Sequence, residues 1–361
     1  EKLKAALRSR SDVADWKIAE FRKVGAERFL VGDRPDLARA AETHDYKATV
    51  YVDRGEGESR TRGDATVSVH PTMGESEVRA VLDRAVFAAS KSRNPWYPVP
   101  EPAPAATPLP TSRFEGRSPD AWMEELLAAL YRHDGRRSGG ARVNSLELFL
   151  DRIERRVLNS RGVDAAWSSW SGYTEFTVEA EGPAGGVELT DMLSFSEPDP
   201  DRLASELANR LEAVRDRASA KPTPRLSGLP LVLAGNEAED ILRWFFGNLD
   251  AARIYSKASP LAIDASVHGD GAARGGYDPL AIAAEPYLPG APRSAPYDAD
   301  GYPLGRRICT EDGVARALHG TTRYAHYLGI PPAGAYSLFS VGPGSIPAAE
   351  MRAAPSLEVA F

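Results

Sequence analysis

The densest chemistry-bearing stretch of this 361-residue chain is His319-Gly320-Thr321-Thr322-Arg323-Tyr324-Ala325-His326-Tyr327. Two imidazoles, a guanidinium, two phenols and two hydroxyls lie within it. Such a set can hydrogen-bond a peptide backbone or a carboxylate. The plainer alternative is a partly exposed helix whose tyrosines pack on a sheet. His319 and His326 are the only near neighbours among six histidines, the others being His44, His70, His133 and His268. On one helix a spacing of seven puts both on the same face, but about 10 Å apart along the axis. Zinc needs ligands about 2 Å from the ion, so within a regular helix this pair cannot share one.

A second cluster is Tyr297-Asp298-Ala299-Asp300-Gly301. Its two carboxylates lack the further oxygen ligands of a calcium loop, and an Asx turn before Gly301 is the favoured reading. The one cysteine, Cys309, lies in a strand-like segment, Arg306–Thr310, with no Cys-His signature around it. It reads as a buried structural thiol. No HExxH, CxxC, GxSxG or Walker pattern occurs.

Several elements must position these residues. Residues 13–21 and 25–31 read as strands. Thr49–Val52 and Ala65–Val69 read as a hairpin across the turn-like Arg54–Ser59. Apolar residues at helical spacing from Val78 to Ala89 predict a helix over 74–91. Eight prolines between 95 and 119 rule out a helix or inner strand there and predict an extended connector. Ser118-Pro119 then reads as the N-cap and first position of a helix to about Tyr131. Leu146–Leu150 and Glu154–Leu158 read as hairpin-like strands before a turn at Asn159–Gly162, and Tyr173–Ala180 as a strand. Asp199–Arg217 is amphipathic. Pro230–Ala234 reads as a short strand leading into a capped helix, Asn236–Phe246. Strands and long loops are expected from 255 to 310, and Leu357–Phe361 is strand-like.

The fold class expected is α+β. It comprises an N-terminal α/β unit (1–94), the proline-rich linker (95–119) and a larger C-terminal domain (120–361) of mostly antiparallel sheet with flanking helices. The net charge of −7, a pI near 5.6 and the lack of a Lys/Arg cluster argue against nucleic acid as a partner. No apolar run of membrane-spanning length exists and no signal peptide is visible. A single cysteine allows no internal disulfide, in keeping with a reducing compartment. The chain begins without Met and both ends read as trimmed.

Several short motifs in fixed order resemble the TldD/PmbA (TldD/TldE) metallopeptidase family. Asn159-Ser160-Arg161-Gly162 is similar to its "NS.G" turn. Leu231-Val232-Leu233 before an acidic helix is similar to its strand–helix step. Ala295–Pro303 is similar to its "fDdEGvp" element, and Glu311-Asp312-Gly313-Val314 with Leu318 to its "ieNGvl" strand entry. The resemblance implies a pair of related subunits, one carrying a zinc-binding HExxxH helix and a further Cys ligand, the other lacking them. This sequence has no His-Glu pair, and Cys309 falls in the wrong segment for that ligand. The resemblance therefore implies a TldE/PmbA-type subunit with no cofactor of its own. Zinc is expected on a TldD-like partner, in a heterodimer or higher oligomer. It also implies cytoplasmic processing or degradation of peptides gripped through backbone pairing, and a C-terminal domain that continues past residue 361.

Two other readings stay open at this point. One is a stand-alone biosynthetic hydrolase or amide-processing enzyme on the same fold. The other is a peptide-binding scaffold without catalysis. No catalytic residue and no metal ligand is assigned. The candidates for substrate or partner contact are Tyr297, Asp298, Asp300, His319, Arg323 and His326.

Overall fold

The computed structural model of the chain describes residues 2–136, 138–183, 185–222, 225, 227–269, 276–353 and 356–360. Its largest feature is an antiparallel sheet of unusually long strands: β1 (Asp15–Val31), β2 (Arg34–Arg54), β3 (Thr61–Val69), β4 (Asn94–Pro95), β5 (Arg142–Asn159), β6 (Asp164–Gly182) and β7 (Gly185–Phe195). Their order is β4-β3-β2-β1-β5-β6-β7. β1 pairs β2 on one side and β5 on the other along nearly its whole length. One sheet thus joins strands from either side of the proline-rich segment, which itself holds no helix or strand between Trp96 and Ser118.

Period-two alternation sorts the side chains onto two faces. Trp16, Ile18, Ala26 and Leu30 of β1 share a face with Ala48 and Val50 of β2, Leu146, Leu148 and Leu150 of β5, and Phe176 of β6. Four helices cover this face. Near the start of β1, α1 (Lys2–Arg8) and α2 (Glu75–Ala89) close a core around Leu7, Trp16, Val50 and Leu82. Toward its end, α3 (Pro119–Leu130) and α4 (Pro200–Ser219) close another around Met123, Leu126, Leu148, Phe176 and Leu207. Ser118 caps α3, its hydroxyl accepting the Ala121 N–H, with Pro119 at the first turn; Asp199 caps α4 in the same manner.

The rest of the chain builds a smaller body. β8 (Leu231–Ala234) pairs in parallel with β13 (Leu357–Ala360) beside α5 (Asn236–Asn248). A four-stranded antiparallel sheet has the order β11-β10-β9-β12, from β9 (Ile282–Glu285), β10 (Arg307–Glu311), β11 (Val314–Ala315) and β12 (Leu338–Val341). With α6 (Ala251–Tyr255) and α7 (Thr322–Tyr327), these elements enclose Phe246, Leu249, Ile282, Cys309 and Leu318. A short helix, α8 (Ala348–Ala353), precedes β13. The class is α+β with mostly antiparallel sheet.

Three local expectations need correction. Residues 13–21 and 25–31 form one strand, because Gly25 lies inside the ladder instead of breaking it. A Cβ there would stand 2.0 Å from Asp151 Oδ1, so the glycine makes room for the carboxylate across the strand pair. Leu146–Leu150 and Glu154–Leu158 are likewise one strand. Their polar centre, Asp151-Arg152, is held inside the ladder by Lys23 and Glu115. His319 and His326 do not share a helix: α7 begins at Thr322, and His319 stands before it in an isolated bridge to Asp250. Part of the 255–310 stretch, residues 270–275, falls outside the described residues.

Candidate functional site

The sheet face opposite the helices presents Asp15 and Lys17 of β1, Tyr51 and Asp53 of β2, and Arg62 and Asp64 of β3. The β2–β3 register sets Tyr51 against Asp64 and Asp53 against Arg62. The start of the proline-rich segment, the loop Tyr297–Tyr302 and α7 all converge on this end of the face.

Arg62 is its centre. The side chain is fully buried. Its guanidinium donates to Asp53 through Nε at 2.7 Å, to Asp15 through Nη2 at 2.7 Å, and to the Tyr97 carbonyl through Nη1 at 2.9 Å. It also lies over the rings of Trp96, Tyr51 and Tyr97 at 5.2–5.8 Å. A buried cation of this kind needs both its charge and its donors matched. Burial pushes the Asp15 carboxyl up, yet hydrogen bonds from Arg161, Ser160 and Arg62 outweigh it and hold the group below the usual carboxylate range. Asp53 behaves alike: burial is overcome by Arg62, Arg60 and the Trp96 indole N–H. The Asn159–Gly162 turn is built into this network. Ser160 Oγ donates to Asp15 at 2.6 Å, and Asn159 Nδ2 donates to the Pro100 carbonyl at 2.7 Å.

α7 enters next to it. Arg323 lies 4.9 Å over the Tyr97 ring and 3.7 Å from Asp64, whose carboxylate accepts the Tyr97 hydroxyl at 2.9 Å. Tyr327 donates to the Pro95 carbonyl at 2.7 Å. The His326 imidazole meets the edge of Trp96 at 5.5 Å and is exposed. Burial pushes the Tyr97 and Tyr51 hydroxyls well above the ordinary phenol range, with the nearby carboxylates adding to it. Both phenols are therefore neutral, and that of Tyr97 donates to Asp64.

The Tyr297–Tyr302 loop closes the other side. Asp300 takes a 2.5 Å ion pair from Lys17. Asp298 is buried and points inward. Its Oδ1 accepts the Asp300 and Tyr302 N–H groups at 2.9 Å, and its Oδ2 the Ala335 N–H at 3.2 Å. This is an Asx-type turn. Burial first, and the Asp300 charge second, push the Asp298 carboxyl up to about 6 against those three donors. Gly301 follows with φ +79°, and a Cβ there would stand 2.7 Å from Val163. Tyr297 packs 5.8 Å from the Trp167 ring, and its hydroxyl accepts the Ala106 N–H.

Of the six candidates, Arg323 and His326 touch the junction directly and Asp300 reaches it through Lys17, whereas Asp298 holds the turn of its own loop and Tyr297 packs on Trp167. His319 stands apart, stacked 4.1 Å from Phe246 in the core of the smaller body, with Nε2 3.0 Å from the Phe246 carbonyl. That carbonyl only accepts, so Nε2 carries the proton. Burial holds the imidazole below its ordinary range, and it is neutral. Cys309 is buried, its thiol pushed up by burial. Sequence reasoning missed Asp15, Asp53, Arg62 and Asp64, which look like routine polar strand residues. The available signal was the Trp96-Tyr97 pair at the start of the prolines.

Chemically, the junction is a set of matched charges and aromatic faces. It can hold chain segments together and present the exposed His326 imidazole and Trp96 to a binding partner. Among the described residues no three His, Cys, Asp or Glu side chains converge as metal donors.

A family model for the PmbA/TldA metallopeptidase C-terminal domain matches residues 227–354. This part of the chain belongs to the TldD/PmbA family. The whole chain shares its fold with TldE from Thermococcus kodakarensis, with a TM-score of 0.73, 16% identity, and coverage of 96% of this chain and 78% of that one. A candidate modulator of a DNA gyrase from Thermotoga maritima has the same fold, at TM-score 0.70 and 16% identity over 93% and 75% of the two chains. Another from Bacteroides thetaiotaomicron matches at TM-score 0.68 and 14% identity, over 94% and 75%. No curated protein matches the chain in sequence. Among the described residues no helix is long and apolar enough to cross a membrane. Within the matched domain lie all six candidate residues and Cys309, whereas Arg62 and its carboxylates lie outside it.

Proposed function

We propose that the chain is the non-metal, TldE-type subunit of a zinc metallopeptidase assembly that processes or degrades peptides in the cytoplasm, the zinc residing on a TldD-like partner. The observation that carries this reading is the match of residues 227–354 to a metallopeptidase C-terminal domain in a chain where, among the described residues, no three His, Cys, Asp or Glu side chains converge as metal donors. His319 is committed to Phe246, and Cys309 to the apolar core with its thiol on the Arg307 carbonyl. His268 accepts the Leu280 N–H. The fold shared with a TldE protein supports the same assignment. In this role the chain shapes the site that receives the peptide. Tyr297, Asp298, Asp300, Arg323 and His326 are the contacts with substrate or partner, directly or by holding the junction.

The test is to express the chain with and without a TldD-like subunit from the same source, and to measure co-purification and cleavage of unstructured peptides. The reading expects a stable complex, cleavage by the complex only, and loss of cleavage on chelation. Cleavage by the isolated chain would overturn it. So would a TldD-like subunit equally active without this one.

A further inference from the structure

We propose that Arg155 anchors a carboxylate of the bound peptide, on the open face of the large sheet beside the Tyr297–Tyr302 loop. The inference rests on the peptide-processing reading above and locates one group of its ligand.

The register places the residue. Arg155 stands opposite Phe21 of β1 and Trp167 of β6. Alternation puts all three on the face that carries Asp15 and Lys17, away from the helices. All three are half-buried. The Arg155 guanidinium lies 5.5 Å over the Phe21 ring, and Trp167 is backed by Tyr297 of the loop. The cation therefore stands between two aromatic neighbours, and its nitrogens remain open to solvent.

Its charge is unmatched within the chain. Burial alone pushes the guanidinium down, and no carboxylate acts to raise it. The other enclosed charges of β1 on this face are paired: Lys17 with Asp300, Lys23 with Asp151, and Glu27 with Arg39. Lys47 of β2 is fully in solvent and needs no partner. Asp151 lies four residues along the strand from Arg155, about 13 Å by Cα. Asp45 lies two strands away, about 10 Å, beyond Phe21 and held by His70. An arginine keeps its proton, and enclosing one without a counter-charge is costly. A ligand carboxylate removes that cost, because its two oxygens match the guanidinium fork. An apolar side chain next to that carboxylate then rests on the Phe21 and Trp167 rings. The C-terminus of a peptide and an acidic side chain within it present the same group.

Isothermal titration calorimetry on the full chain tests this with three N-acetylated alanine pentapeptides ending in phenylalanine. One has a free C-terminal carboxylate, one is its amide, and one is the amide with glutamate before the phenylalanine. The acid or the glutamate peptide should bind about 10-fold more tightly than the plain amide, the worth of one charge-assisted pair. The first result assigns the carboxylate to the terminus, the second to a side chain. Arg155→Met should abolish the preference and Arg155→Lys should keep part of it. Arg155→Met should also leave the melting transition in place, because the cation has no partner to lose. Equal binding of all three peptides, no binding, or a preference that survives Arg155→Met overturns the site. So does a melting transition lowered by more than about 3 °C in Arg155→Met, which assigns the guanidinium to the fold. Co-purification with a TldD-like subunit and cleavage by that complex are measured separately, so a lost carboxylate preference and a failed assembly are told apart.

Discussion

Replacing Arg62 with Met keeps the length of the side chain and removes its charge and donors. Asp15 and Asp53 then lose their shared partner in a buried setting. Asp15 keeps Arg161 and Ser160, and Asp53 keeps Arg60 and the Trp96 indole. The Tyr97 carbonyl loses its donor as well. Breaking a buried pair by removing one member costs about 3–5 kcal/mol. For a chain of this length that is a fall of roughly 4–7 °C in Tm. The pH dependence has a defined sign. In the native protein both carboxyls sit below the usual carboxylate range. The stability they contribute through Arg62 is present above the unfolded value, about 4, and is lost as pH falls through the folded values. The gap between the two proteins should therefore be full at pH 7 and narrow below about pH 4. Urea unfolding at pH 7, 5 and 3.5 measures it. Arg62→Lys should fall between the two, since an ammonium keeps the charge but not the fork. A loss of under about 1 kcal/mol at pH 7, or a gap that widens on acidification, refutes the network as described.

The Asp298 carboxyl gives the opposite profile. Its folded value, about 6 against an ordinary 3.8, means a contribution present below the unfolded value and lost as pH rises through about 6, of order 3 kcal/mol. Asp298→Asn carries no such titration, and with its oxygen kept on the Asp300 and Tyr302 N–H groups its amide nitrogen cannot accept the Ala335 N–H. Its deficit in urea unfolding should therefore be larger at pH 4 than at pH 7, and a deficit that grows with pH contradicts the reading. Gly301→Ala should lower stability by about 1–3 kcal/mol, through its left-handed backbone and the contact with Val163. Val163→Ala in the same chain should restore only the steric part in thermal melts. Cys309 should react with a thiol reagent only at the rate of unfolding, so its labelling should accelerate in urea in step with the loss of secondary structure.

Much of the local structure was legible because it is local. The Ser118-Pro119 start of α3, the stripe of α4 and the turn at Asn159–Gly162 all follow from side chains near in sequence. The long strands were legible only in part. Gly25 and Asp151-Arg152 look like breaks until the neighbouring strand is present, and it arrives more than a hundred residues away. The loop Tyr297–Tyr302 was read correctly as an Asx turn from its Asp-x-Asp-Gly pattern. Its place against Lys17, and that of Arg323 against Tyr97 and Asp64, depend on tertiary pairing that no spacing encodes. His319 shows the same limit from the other side: a chemistry-bearing residue type in a promising stretch, placed by the fold against a phenylalanine.

The central claim, that zinc belongs to another chain, is tested most directly by native mass spectrometry with metal analysis of the chain co-expressed with its TldD-like subunit. The account predicts a hetero-oligomer with one zinc per TldD-like subunit, and no stoichiometric zinc on this chain when the two are separated. Stoichiometric zinc retained by the isolated chain would contradict it.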